Sequence, residues 1–133
     1  MFVDASALVA ILTREAGHDE LEQRLHRAPR RITSGLAMFE AVVAIARRTG
    51  LALDTAETLL RSFMGAAEIG LVPITDAEAG SALAAYARFG KGRGHPAQLN
   101  MGDCFAYACS RNHDVPLLFV GDDFTRTDIP QAS

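Results

Sequence analysis

Three aspartates lie at the ends of short apolar runs that predict buried strands. Asp4 follows Phe2-Val3, and Asp122 and Asp123 follow residues 117–120. Ligands of open parallel sheets gather beyond the carboxyl ends of the strands, so we expect Asp4 to lie near one of the other two. The alternatives are structural. Asp4 would cap the helix that follows it, and either later aspartate would close an Asx turn.

Two further acids lie in segments that are predicted to be helices. Glu40 has apolar residues three and four positions away on both sides, and no lysine or arginine stands within one turn of it. Asp103 precedes an apolar turn at residues 104–106. Burying a lone carboxylate costs several kcal/mol unless it is paired or coordinated. The alternatives are a buried ion pair of Glu40 with a distant arginine and a capping box between Asn100 and Asp103.

Taken together, these acids predict a metal site. Clustered carboxylates cannot all ionise without a counter-charge, and oxygen ligands select hard cations such as Mg²⁺ or Mn²⁺. One or two such ions can activate a water, hold a scissile phosphate and stabilise the leaving oxygen. The sequence therefore favours metal-assisted phosphoester hydrolysis.

Other chemistries find little support in the sequence. The four histidines include no HxxxH pair, and no G-x-S-x-G nucleophile elbow occurs. The glycine-rich segment 90–94 follows a helix and lacks the Walker ending, which argues against a nucleotide cradle. Cys104 and Cys109 lie in an apolar stretch and are expected to be buried reduced thiols.

The elements that must hold the acids are short strands alternating with helices. Strands are predicted near 2–4, 31–33, 71–74 and 117–120, and helices near 6–13, 15–26, 36–48, 54–69, 76–89 and 101–111. Capping boxes are predicted at 54–57 and 75–78. The helix at 36–48 is apolar on nearly every face, which predicts a buried helix. This alternation is typical of an α/β domain with a mainly parallel sheet flanked by helices.

The size and charge of the chain set further bounds. With 133 residues it is expected to form a single domain over 1–133. A formal net charge of −3 argues against a dedicated duplex-binding module, yet it leaves room for an enzyme that grips nucleic acid locally. No apolar run approaches the ~20 residues of a membrane span, and the first residues lack the pattern of a signal peptide. We therefore expect a cytoplasmic protein without a membrane partner.

The chain resembles the PIN-domain ribonucleases, and specifically the VapC-type toxins of bacterial toxin–antitoxin pairs. Four stretches carry the resemblance, at 2–7 (FVDASA), 38–40 (MFE), 99–108 (LNMGDCFAYA) and 118–124 (LFVGDDF) with 127–129 (TDI). The similarity extends over essentially the whole chain in order and length. It implies a three-layer PIN-like fold.

The resemblance also implies a role for each acid. Asp4 and Asp103 match the direct metal ligands, and Glu40 matches the helical acid that completes the site. The fourth acid is Asp122 or Asp123, and a gapless reading of the Gly-x-Asp-Phe form favours Asp123. Ser6 matches a small hydroxyl residue near the metal, although a role at the start of a helix fits it equally well.

What the family does supplies the functional expectations. It implies a Mg²⁺-dependent endoribonuclease, with Mn²⁺ expected to substitute, that cuts structured RNA, commonly tRNA or ribosomal RNA. It also implies a homodimer that is inhibited by a cognate VapB-type antitoxin. Substrate contacts are expected from the loop Lys91–His95, for which a plain solvated loop is the alternative. The second basic stretch, which consists of Arg24, Arg27, Arg30 and Arg31, is more readily explained as a solvated helix end.

Two rival hypotheses remain. In the first, the protein is a catalytically idle module whose acidic pocket binds an Arg-rich partner peptide. In the second, it is a metal-dependent phosphatase, which is the weaker hypothesis because the first strand carries Asp4 and Ser6 rather than a DxD pair.

Overall fold

The structure is a computed structural model that describes residues 1–132. Ten elements follow one another along the chain: β1 (Phe2–Val3), α1 (Ala5–Leu12), α2 (His18–Arg27), β2 (Ile32–Ser34), α3 (Gly35–Thr49), α4 (Leu53–Ala66), β3 (Gly70–Val72), α5 (Asp76–Phe89), α6 (Met101–Asn112) and β4 (Leu117–Leu118). Across this part of the chain no helix is both long and apolar enough to cross a membrane.

The strands form one sheet in the order β3-β2-β1-β4, and each pair is parallel. Phe2 pairs with both Ile32 and Leu117, and Val3 pairs with Leu118. Successive residues of a strand point to opposite faces of the sheet, so the residues paired with Phe2 and the residue paired with Val3 belong to two different cores. Val3 and Leu118 join the core beneath α1 to α4, whereas Phe2, Ile32 and Leu117 join the core beneath α5 and α6. This confirms the predicted three-layer α/β fold.

The helix at Gly35–Thr49 differs from its prediction. Its apolar composition predicts burial on all sides, but Phe39 is 65% exposed and Leu36, Met38 and Ala44 are only partly buried. The helix packs mainly against α1 and α4 and touches α6 and β2, which leaves the face that carries Phe39 in solvent. The helix begins at Ser34, whose side chain accepts a hydrogen bond from the Ala37 N–H, and it ends at Gly50 in the left-handed conformation.

Two other local predictions are wrong in part. The capping box at 54–57 does not form, because α4 already begins at Leu53 and Asp54 instead accepts a hydrogen bond from the neighbouring Thr55 N–H. The predicted last strand, at 117–120, stops at Leu118. There the Val120 N–H donates to Ser6 Oγ rather than extending the sheet. The capping box at Thr75–Glu78 is confirmed.

The C-terminal segment is fastened to α5 and α6 through one carboxylate. Tyr107 donates a 2.5 Å hydrogen bond to Asp128, and Arg88 and Arg111 lie 3.4 and 3.7 Å from the same side chain. The hydrogen bond from Tyr107 is the main cause that lowers the pKa of Asp128, and both arginines act in the same direction. A carboxylate with a lowered pKa stabilises the fold above its unfolded pKa of about 3.9.

Replacing this tyrosine should loosen the segment. We expect Tyr107→Phe to reduce the free energy of unfolding by about 1 kcal/mol at pH 7, measured by urea denaturation. The loss should shrink as the pH falls through the lowered pKa of Asp128, because the carboxylate is then protonated. Tyr86→Phe is the matched control, since its hydroxyl makes a longer, exposed bond of 3.3 Å to the Lys91 carbonyl. Equal losses in the two variants would contradict the prediction.

Candidate active site

Asp4 lies at the carboxyl end of β1 and begins α1. Its side chain is buried, and Oδ2 accepts hydrogen bonds from the Ser6 N–H (3.1 Å) and from Ser6 Oγ (2.5 Å). Ser6 Oγ in turn accepts from the Val120 N–H at 3.0 Å, which ties the end of β1 to the chain leaving β4. The helix-cap role proposed for Asp4 is therefore real, and it fixes this carboxylate at the edge where the parallel strands end.

Asp103 is held at the start of α6 by a reciprocal pair of hydrogen bonds. Its Oδ2 accepts from the Asn100 N–H at 3.0 Å, and its own N–H donates to Asn100 Oδ1 at 2.9 Å. This is the capping box that the sequence predicted as an alternative role. The box leaves the side chain only 9% exposed, so the cap holds a carboxylate in a poorly solvated position.

Glu40 reaches the same region from α3, through a close approach to α6. Its carboxylate lies so near Gly102 that a Cβ at this position would overlap both carboxylate oxygens. Gly102 was not identified as a site residue from the sequence. The available signal was a glycine inside a predicted helix, directly before Asp103. Its missing side chain is what gives Glu40 room beside Asp103.

The fourth acid is exposed and lies in the turn after β4. Asp123 raises the pKa of both Asp4 and Asp103 by charge repulsion. Asp122 is not among the causes of either shift, and its carbonyl accepts hydrogen bonds from the Thr125 N–H and hydroxyl. These interactions place Asp123, rather than its neighbour, in electrostatic contact with the other acids.

The electrostatics show that these carboxylates share one environment. Burial raises the pKa of Asp103 to about 7, and repulsion from Asp123, Asp4 and Glu40 adds to the shift. Burial also raises the pKa of Asp4, against the opposing hydrogen bonds from Ser6, and burial followed by repulsion from Asp4 raises that of Glu40. Shifts caused by desolvation plus specific like charges are typical of functional sites.

The donors fit a hard divalent cation. All four offer carboxylate oxygen, the ligand type that Mg²⁺ and Mn²⁺ prefer. Within residues 1–132, no three Asp, Glu, His or Cys side chains are gathered closely enough to enclose an ion. Mg²⁺ usually keeps several waters and takes one or two protein carboxylates, so the spacing suits an ion that is held partly through water.

The other residues singled out in the sequence lie outside this cluster. In the loop Lys91–His95, four residues are exposed, while the ring of His95 packs edge-on against Phe89. Arg31 donates to the carbonyls of Ala28, His26 and Ala67 and so has a structural role.

The remaining predictions on basic and sulfur side chains can also be compared with the structure. Arg24 pairs with Glu20 on α2. Arg24, Arg27 and Arg30 line a cavity with Met1 and Pro116, beside the residues that precede β1 and β4. That is the edge of the sheet opposite the acids. Both cysteines are buried and free, as predicted.

The comparisons with known proteins agree with this geometry. A family model described as PIN domain matches residues 1–130. A VapC ribonuclease of Rhizobium meliloti is 42% identical and covers 96% of this chain and 98% of its own. Ribonuclease VapC42 of Mycobacterium tuberculosis is 38% identical, covering 99% and 98%. The crystal structure of Mycobacterium tuberculosis VapC20, titled a sarcin–ricin loop cleaving toxin, shares the fold with a TM-score of 0.74 at 17% identity, covering 96% and 95%.

A parallel sheet with acids at its carboxyl edge and a family match over nearly every residue define a PIN domain. Within that class, the chain belongs to the VapC ribonuclease family, because relatives with 36–42% identity match it from end to end. The resemblance stated from the sequence is confirmed. The roles of the individual acids stay predictions.

Removing the charge of Asp103 should stabilise the metal-free protein. Because its folded pKa is about 7 and thus above the unfolded value, the ionised form costs stability as the pH rises from about 4 to 7. We expect Asp103→Asn to raise the free energy of unfolding by about 1–2 kcal/mol at pH 7.5 in EDTA, and by less at pH 5. Asp19→Asn, at an exposed side chain, is the control and should change little at either pH. A lower free energy of unfolding in Asp103→Asn would contradict the prediction that the ionised Asp103 carboxylate destabilises the metal-free protein.

Adding a methyl group at Gly102 should displace Glu40 without unfolding the protein. The atoms in its way are the far end of a flexible side chain, and alanine favours the helix by roughly 0.5–1 kcal/mol. We expect Gly102→Ala to keep or raise the thermal midpoint and to slow RNA cleavage about tenfold or more. Gly80→Ala in α5 has open space around its new methyl and should gain stability without losing activity. Full activity in Gly102→Ala would show that the position of Glu40 does not matter.

Proposed function

We propose that this protein is a divalent-metal-dependent endoribonuclease that acts as the toxin of a type II toxin–antitoxin pair. The observation that supports the metal site is that burial and, secondly, like charges raise the pKa values of Asp4, Glu40 and Asp103 at one edge of the sheet, where Asp123 is one of the repelling acids. A fold that keeps buried carboxylates together without a cation pays for it in stability, so the arrangement favours a site that is used with one.

In this proposal each acid has a defined task. Asp4 and Asp103 would hold Mg²⁺, with Mn²⁺ as a substitute, and each does so with one oxygen already fixed by Ser6 or Asn100. The bound ion would supply an activated water and stabilise the departing 3′ oxygen of the RNA. Glu40, whose pKa is raised by burial and by repulsion from Asp4, would orient that water and accept its proton at a carboxylate oxygen. Asp123, which is exposed, would help to orient the ion or its water.

The names of the relatives support the proposed substrate and partners. Relatives carry the name ribonuclease, and the VapC20 structure is titled a sarcin–ricin loop cleaving toxin. We propose structured RNA, from tRNA or ribosomal RNA, as the substrate, and the cytoplasm, where these RNAs occur, as the place of action. We further propose one catalytic domain over 1–133, a homodimer, and inhibition by a cognate VapB-type antitoxin that covers the acidic site.

Cleavage of defined RNAs tests the proposal. Labelled total bacterial tRNA and a hairpin carrying the sarcin–ricin loop sequence would be incubated with Mg²⁺, with Mn²⁺ and with excess EDTA. We expect internal cleavage of at least one RNA with either ion and none in EDTA. Equal cleavage in EDTA would overturn metal dependence.

A neighbouring pair of aspartates provides the matched variants. Asp123→Asn should slow cleavage by roughly 100-fold, because it removes a charge that acts on Asp4 and Asp103. Asp122→Asn should stay near the wild type, since the part of this residue that makes contacts is its carbonyl. The reverse pattern would assign the fourth acid to Asp122.

The rival hypothesis of a catalytically idle module makes different predictions. It would be favoured if the protein cleaved no RNA, bound no Mg²⁺ in calorimetry and bound an Arg-rich peptide tightly.

A further inference from the structure

We propose that Arg48 binds the RNA backbone next to the scissile phosphate, and that Glu15 competes with the RNA for the same guanidinium group. The inference rests on the ribonuclease function proposed above and names a substrate contact of that site. It comes from a pocket of about 320 Å³ that runs between α1 and α3.

One end of this pocket carries an acid and the other an ion pair. Ser6 and Glu40 line the end beside the acidic cluster, and Glu15 and Arg48 line the other end. The pocket is therefore continuous with the proposed catalytic site and leads from it to a cationic side chain. An extended strand of RNA that enters at the acids can follow this path.

The helix geometry sets how far Arg48 lies from the reaction. Glu40, Ala44 and Arg48 are spaced four residues apart, so they form one ridge along α3. Eight residues of helix correspond to a rise of about 12 Å between the two Cα atoms, which suits contact of the Arg48 side chain with a phosphate next to the one held at the acids. Arg48 thus faces a neighbouring phosphate. Between the two ends, Ala5, Val9 and Ala44 give the pocket a floor of small apolar side chains on which a sugar or base can lie.

The charge of the site favours such a contact. RNA that approaches four carboxylates is repelled unless cations meet its phosphates. Arg48 is suited to that task, because a guanidinium group binds phosphate oxygens in a bidentate manner and its side chain is 54% exposed.

In the free protein Arg48 forms an ion pair with Glu15 in the segment between α1 and α2. Exposed pairs of this kind add little to stability, so the arginine can exchange the carboxylate for a phosphate at small cost. The Glu15 carboxylate then competes with an RNA phosphate for the Arg48 guanidinium group and keeps that group at the pocket while no RNA is bound. The alternative is a plain structural pair that fastens this segment to α3.

Binding in EDTA separates these two roles without any metal chemistry. The probes are the labelled hairpin with the sarcin–ricin loop and total tRNA, each titrated against the Asp103→Asn protein carrying one further change. We expect Arg48→Gln to weaken binding about tenfold and Glu15→Gln to tighten it about threefold, because the second change frees the arginine. Arg47→Gln removes the same charge from the adjacent exposed position of α3 and should leave affinity close to that of the parent.

The sign of the two effects decides between the roles. A structural pair predicts that Arg48→Gln and Glu15→Gln shift affinity in the same direction, together with their thermal midpoints, and that result would overturn the proposal. So would an Arg48→Gln affinity equal to that of Arg47→Gln. The plot of log affinity against log salt has a negative slope, and Arg48→Gln should make it shallower by about 0.7, as for the loss of one contact with a single-stranded phosphate.

Cleavage kinetics in the wild-type background distinguish this inference from the function on which it rests. With Mg²⁺ present, Arg48→Gln should raise KM about tenfold and leave kcat nearly unchanged. A wild-type protein that binds RNA in this way but never cuts it would refute the ribonuclease function and keep the contact. A protein that cuts RNA with the same KM in Arg48→Gln would refute the contact and keep the function.

Discussion

Repulsion between carboxylates in a poorly solvated place is the constraint on which the rest of this structure depends. Burial is the largest cause that raises the pKa values of Asp4, Glu40 and Asp103, and repulsion from at least one other acid raises each of them further. Such a group is unfavourable for folding, so the surrounding elements must hold it in place by other interactions. The parallel sheet does this by bringing the ends of β1 and β4 to one edge, with α3 and α6 beside them.

The holding interactions are those of ordinary helix termini. Asp4 caps α1 through Ser6, and Asp103 shares a capping box with Asn100. In both cases the backbone N–H groups at a helix start supply the partial positive charge that makes an ionised carboxylate tolerable there. Capping and metal binding are therefore compatible roles, since a carboxylate has two oxygens and the cap engages one. The two roles weighed in the sequence therefore do not exclude each other: the cap is present in the structure, and the metal role stays a prediction.

Much of the fold could be predicted because its signals are local. Apolar runs mark the strands, and the caps at Ser34, Thr75 and Asn100 mark three helix starts where they were expected. The predictions failed where tertiary contacts decide. The last strand stops at Leu118 because the Val120 N–H is taken by Ser6, which is more than a hundred residues away along the chain. The exposure of Phe39 likewise depends on which helices cover α3, and its apolar neighbours in the sequence do not reveal that.

The candidate site divides in the same way. Its acids could be proposed from sequence because a carboxylate in an apolar setting is conspicuous, whereas the room for Glu40 depends on a missing side chain on another helix, at Gly102. The balance of charge around the site was also hidden. A net charge of −3 describes the whole chain, but the local field along the pocket is set by Glu40 at one end and by the ion pair of Arg48 and Glu15 at the other. A phosphate backbone laid along that pocket meets both, so an acidic protein can bind RNA if a well-placed cation lies on the same helix ridge as one of its acids.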